Sequence, residues 1–282
     1  MRLNGPTIES MDKNNARSKR IRTLPDEDDF RLLTAYYAAG DEPQSRADKK
    51  RLRTLIAEED HRLRQVRRQY QLAQEPIVAD LKRRGFRIDT VQQLCGRKRS
   101  YKSAIPILLK WLPITSDIRA KERIVEALSV PWARRLAAPA LVAEFRDAPG
   151  VPFSGLKYAI GNALAVVADD SVFERISALL RDKRHGTDRT MLAMSLARMK
   201  NPRAVDLAIE LLDDDEIAGH CVAALGELKA KRSRTRIRQF LRHPQEWVRT
   251  AAKRSLAQID GAQRLRKKTK IRKRLSRRAA VR

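Results

Sequence analysis

Side chains able to do chemistry are few in this chain, and their spacing is poor for most chemistries. Of the four histidines, His185 in the turn DKRHG and His220 beside Cys221 are expected to be structural or solvent-facing rather than zinc ligands, and no Cys-x-x-Cys occurs. The acidic run Asp213, Asp214, Asp215 and Glu216 lacks the alternating oxygens and central glycine of a calcium loop. It fits better as a helix cap, where carboxylates meet unpaired N–H groups and the positive helix end. No serine sits in a Gly-x-Ser-x-Gly turn. Gly155, Gly161 and Gly219 are too dispersed to cradle phosphate, and each is expected to allow a turn or a close helix crossing. The sequence therefore predicts no catalytic residues, no metal site and no cofactor.

What the chain has in abundance is positive charge. Its 282 residues carry 61 Lys and Arg against 34 Asp and Glu, a formal net charge of +27. The excess is unevenly placed: residues 229–282 hold 21 basic side chains against only Glu246 and Asp260, so +19 of the +27 lies in the last fifth. Solubility alone does not need such concentration, and the pattern predicts an acidic partner, nucleic acid first. The residues expected to meet phosphate are Lys231, Arg232, Arg234, Arg236, Arg238, Arg242, Arg249, Lys253 and Arg254. They continue into Arg266, Lys267, Lys268, Lys270, Arg272, Lys273 and Arg274. Such a polybasic run contacts the backbone of DNA or RNA without reading bases.

The elements that must position these side chains are legible from a repeat. A leucine preceded by a small residue recurs at Leu128, Leu164, Leu196, Leu225 and Leu256, at intervals of 36, 32, 29 and 31 residues. Such a period marks stacked supersecondary units. Four residues before each leucine stands Ile124, Ile160, Leu192, Cys221 or Ala252, on the same helical face. A second helix in each copy ends in a bulky residue or pair: Trp111-Leu112, Phe145, Leu179-Leu180, Leu211-Leu212 and Phe240-Leu241. In the last copy, alignment on these pairs puts Arg234 where earlier copies have Val205 and Phe173, and Arg238 where they have Ile209 and Ser177. An end copy needs a polar outer face, but glutamate would serve as well. Arginine at both positions predicts a cap that also binds anions.

At these residues the array resembles HEAT repeats, in particular the short repeats of phycobilin-lyase-like proteins. DDDEIAGHCVAALGELKA and HPQEWVRTAAKRSLAQI carry the likeness: a polar cap, an apolar residue, then Ala-Leu or Ser-Leu. The resemblance covers about 160 residues and implies an all-α fold, a right-handed α-solenoid of about five helix pairs. It says little about function, since the architecture serves scaffolds, enzymes and repair proteins alike. Deoxyhypusine hydroxylases of similar repeat length bind iron through His-Glu dipeptides, but here the histidines precede Arg62, Gly186, Cys221 and Pro244. HEAT-like alkylpurine DNA glycosylases line a basic cleft with aromatics. Trp111, Trp132, Tyr158 and Trp247 are available here, but none falls on that family's motif.

Four regions are expected: a flexible basic arm over 1–24, an N-terminal helical region over 25–100, the repeats over 101–260 and a polybasic tail over 261–282. A helix is expected from Pro25, burying Phe30, Leu33 and Tyr37. A longer one follows from Pro43 to about Gln74, either folded as a hairpin against EPIVADLKRRG or pairing in a short intermolecular coil. Gly85 is the expected stop. Cys95 and Cys221 are expected to be reduced, with Cys221 on a buried rung. No apolar stretch reaches the ~18 residues of a membrane span, and MRLNGPTIESMDKNN lacks the apolar core of a secretory signal. The expectation is a cytoplasmic protein (nuclear if the source is eukaryotic) without enzymatic activity. It would hold nucleic acid by its basic end while its solenoid surface engages a protein, with a pure protein adaptor as the alternative and a DNA glycosylase as the minor one.

Overall fold

A computed structural model describes residues 45–95, 100–149 and 155–261, and every regular element among them is helical. The expected arm, the helix from Pro25 with Phe30, Leu33 and Tyr37, and the tail past Gly261 lie outside the described residues. Contacts divide the chain into two compact units, 1–68 and 69–282.

In the first unit the described residues form the start of α1 (Arg46–Arg83). Its surface is mostly solvated charge, with Arg62 held by Glu59 (Nε–Oε2 2.7 Å) and the His61 ring 2.8 Å from the Gln65 amide.

The second unit takes in the last four turns of α1. The expected break before Pro76 does not occur: the helix passes through the proline to Arg83. Proline removes one backbone hydrogen bond and crowds the preceding turn, a cost of ~3 kcal/mol. Burial of Ile77, Val78 and Leu81 just beyond it offsets that cost at ~1.5–3 kcal/mol per side chain. Gly85 then closes the helix as expected. At φ +92° it sets the Phe86 N–H on the Leu81 carbonyl (3.0 Å) and its own N–H on that of Lys82 (2.9 Å). The buried Gln74 side chain accepts from the Val91 N–H at 3.2 Å, fixing the next turn.

Beyond Tyr101 the expected two series of helices are present. One series is α3 (Ile118–Leu128), α5 (Leu156–Val167), α7 (Arg189–Met194), α9 (Ala218–Glu227) and α11 (residues 246–261). The other is α2 (Ile105–Ile114), α4 (Arg134–Asp147), α6 (Phe173–Arg181), α8 (Arg203–Glu210) and α10 (Arg234–Gln239). In the first series α3 packs on α5, α5 on α7 and α7 on α9, while Ser255 of α11 donates to the Val222 carbonyl of α9 at 2.9 Å. In the second, α2 packs on α4 and α4 on α6.

The rung residues explain the packing. Ile124, Ile160, Leu192, Cys221 and Ala252 are each 0% exposed, and Ala127, Ala163, Ser195, Ala224 and Ser255 are buried beside them. Small residues there let backbones approach closely. Gly161 is a backbone example: a Cβ there would stand 2.9 Å from Met191 Cβ and 3.2 Å from the Leu192 nitrogen. Polar contacts repeat with the period: Arg181 meets Glu210 at 2.7 Å, and Arg203–Glu174 and Arg198–Glu227 also join residues 29 apart. These exposed pairs add little stability but mark one register through successive copies.

Candidate nucleic-acid interface

The basic end is built on a short helix. α10 has six residues, flanked by tight turns at Lys231–Ser233 and Phe240–Arg242, with Ile237 its buried anchor. Val172, Ala204 and Ser233 are equivalent across three copies, as are Ile176, Ala208 and Ile237, and all six are 0% exposed. The positions just outside them open progressively. Phe173 is buried, whereas Val205 and Arg234 are half-buried; Ser177 is buried, Ile209 half-buried and Arg238 exposed. Arginine therefore enters where the last copy loses cover, not in its core.

The nine described candidates divide into two sets. Arg234 lies against Asp260 (2.8 and 3.1 Å), Arg232 against Asp206 (2.6 Å) and the Pro202 carbonyl, and Arg236 against Asp213 (2.5 Å). Arg249 caps the preceding turn, donating to the carbonyls of His243 (2.8 Å) and Pro244 (2.6 Å). These four already have protein partners. Lys231, Arg238, Arg242, Lys253 and Arg254 are exposed and make no ion pair or side-chain hydrogen bond among the described residues. The other candidates, Arg266, Lys267, Lys268, Lys270, Arg272, Lys273 and Arg274, lie outside the described residues.

The acidic run has a role beyond capping. Asp214 does cap, accepting from the Glu216 N–H at 3.2 Å. Yet Asp214 (2.7 Å) and Glu216 both close on Arg189, which is 0% exposed and also donates to the carbonyls of Leu180 (2.9 Å) and Gly186 (3.0 Å). Arg189 escapes sequence reasoning because arginine at the start of a helix usually faces water.

His185 also differs from a solvent-facing histidine. Its side chain is 13% exposed, packs edge-on to Phe145 (5.5 Å) and meets Lys157 Nζ at 3.2 Å. Lys157 is itself buried over the Phe145 ring, and Asp188 close by is buried with Oδ1 lacking a partner. Burial and then the Lys157 charge lower the pKa of His185, while burial raises that of Asp188. The only sequence signal for this group is a lysine on the apolar helix LKYAIGNAL, which reads equally well as a surface residue.

Among the described residues no group of three or more His, Cys, Asp or Glu side chains is arranged to hold a metal ion. None of their helices is long and apolar enough to cross a membrane. Of the aromatics, Trp111 donates to Asp80 (2.8 Å) and Trp132 packs edge-on to Tyr101, which leaves Trp247 and Tyr158 the more exposed. Comparison with protein-family models, with curated proteins and with solved structures finds no match to this chain.

Proposed function

We propose that this chain is a non-enzymatic, right-handed α-solenoid of about five HEAT-like helix pairs. Its terminal copy and tail hold nucleic acid by the phosphates, and the remaining solenoid surface engages a protein. The copy-on-copy packing of α3, α5, α7 and α9, with ion pairs repeating at 29 residues, supports the architecture. One observation carries the phosphate contact: five exposed cations that are unpaired among the described residues, Lys231, Arg238, Arg242, Lys253 and Arg254, lead into a segment without a single acid. Unpaired cations can release phosphate counterions on binding, whereas those already facing a carboxylate contribute less. Exposed Ile114 and Leu136, on the packed helices α2 and α4, support a protein-binding surface elsewhere.

The test is the binding of a fluorescent oligonucleotide across a salt series. If ~6–10 phosphates are neutralised, affinity falls ~10³–10⁵-fold between about 50 and 200 mM salt. Changing the five unpaired cations to glutamine reduces the slope of log K against log salt by about one for each phosphate no longer neutralised. A dissociation constant independent of salt, or one unmoved by both these changes and removal of 262–282, overturns the nucleic-acid reading. Partners captured equally well after nuclease treatment would then favour a protein adaptor.

A further inference from the structure

A cleft of about 550 Å³ opens between α4, α6 and the turn after α6, away from the basic end. Its volume suits a small-molecule site, commonly ~300–1,000 Å³. Val142, Ala178 and Leu179 give it an apolar wall, and Arg146, Arg175 and Arg184 stand around it. His185 lines it too, and its ring orientation follows from the residue behind it. An ammonium group only donates, so Lys157 Nζ, 3.2 Å from His185 Nδ1, makes Nδ1 the acceptor and puts the ring proton on Nε2. The lowered His185 pKa, from burial and then the Lys157 charge, keeps the ring neutral at pH 7.

The other polar groups fit one kind of ligand. Among the described residues Asp182 is the cleft's only carboxylate, and Arg184 occupies it through Nε (2.9 and 3.2 Å), Nη2 (2.7 Å) and its backbone N–H (3.1 Å). His185 Nε2 is 3.9 Å from that carboxylate, too far for a hydrogen bond. Arg146 pairs with its neighbour Asp147 and with no other described residue. Arg175 is exposed and makes no ion pair among the described residues. Among the described residues the cleft thus offers an apolar wall, an imidazole N–H without a hydrogen-bond partner, one unpaired guanidinium and no carboxylate free of a cation.

The geometry points to this cleft as a binding site for a small organic anion with an apolar body. The carboxylate, sulfonate or phosphate end would lie on His185 Nε2–H and Arg175, with the body against Val142 and Leu179. Lys157 is a positioning residue that fixes the tautomer. This inference does not depend on the nucleic-acid interface, which lies in other copies.

The test uses 8-anilinonaphthalene-1-sulfonate and its uncharged counterpart N-phenyl-1-naphthylamine in fluorescence titrations of the full chain. The sulfonate is expected to bind one to one, at least ten-fold tighter than the neutral probe. Arg175→Glu and Ala178→Glu, both exposed positions on α6, each weaken it at least ten-fold with the melting temperature unchanged. Nitrogen-15 NMR of the histidines shows Nε2–H on His185, with a shift on saturation, and Lys157→Met abolishes that tautomer preference. Equal affinity for both probes, affinity unmoved by the two α6 variants, or a His185 signal unmoved by the sulfonate overturns the assignment.

Discussion

Arg189 and Asp214, 25 residues apart in sequence, meet at 2.7 Å where the arginine is wholly excluded from solvent. Arg189 stands at the start of α7 and Asp214 just ahead of α9, so the pair ties one copy to the next. The guanidinium's remaining donors reach Glu216 and the carbonyls of Gly186 and Leu180. A charge this deeply buried is tolerated because each of its three nitrogens is bonded.

Removing one partner of this group is therefore costly. Arg189→Ala leaves Asp214 buried without its cation, and the expected loss is ~3–5 kcal/mol of unfolding free energy. Exposed Arg203→Ala, which breaks the pair with Glu174 and the stacking of the guanidinium over the Phe173 ring, costs under ~2 kcal/mol. Chemical denaturation of the two variants checks this, and equal losses would contradict it.

Lys229 closes α9 with φ +51°, in the same bonded arrangement that Gly85 makes at the end of α1. The Ala230 N–H reaches the Leu225 carbonyl at 3.1 Å, and the Lys229 N–H that of Gly226 at 2.9 Å. A side chain in the left-handed region is strained, so Lys229→Gly is expected to gain ~0.5–1 kcal/mol. A rise in denaturation midpoint at constant slope would show it.

Gly161 is the converse case. A methyl group there meets Met191 Cβ at 2.9 Å and a backbone nitrogen at 3.2 Å, neither of which can swing away. Gly161→Ala is expected to destabilise by ~1–3 kcal/mol despite alanine's better helix propensity. Gly261→Ala, with nothing within 4 Å, is the control expected to stay within about half a kcal/mol.

Two histidines couple stability to pH. Burial lowers the pKa of His220, whose Nδ1 is buried without a partner beside Trp247; burial and then the Lys157 charge lower that of His185. Between the depressed folded values and about 6.5 the unfolded chain binds the extra protons, so stability rises with pH across that window. It is fully present above about pH 6.5 and is lost as pH falls through the folded values. Denaturation midpoints between about pH 5 and 7 should climb with pH, and a His220→Gln variant should climb less.

Burial pushes the Cys221 thiol up to about 12 and the half-buried Cys95 thiol up to about 11. Neither forms appreciable thiolate near neutrality, and thiolate is the reactive form. An aromatic disulfide reagent at about pH 8 should label the native protein slowly at Cys95 and label Cys221 only with unfolding; both react at once in denaturant. Fast native labelling of Cys221 would show that its rung opens.

Much of the helical order was legible because the cues are local. The small-Leu rungs, the stop at Gly85 and the burial of Cys221 follow from side-chain period and backbone freedom within a few residues. The passage of α1 through Pro76 was not, because a local rule that ends helices at proline is overridden by burial of Ile77 and Leu81 against distant helices. Among the basic candidates, sequence could count cations but not pair them. Only folding brings Asp260 to Arg234 and Asp213 to Arg236, and so separates them from Arg238, Arg242 and Lys253.

The sequence by itself determined that this protein is helical, repeated and strongly basic at one end, since periodicity and composition are properties of short stretches. Tertiary structure alone decided which charges are neutralised, buried or left open to a partner. Coulomb interactions and desolvation depend on distances of a few ångströms between residues 20 to 30 apart in the chain. Arg189 and Arg238 are the same amino acid, yet one is sealed against Asp214 and the other faces solvent.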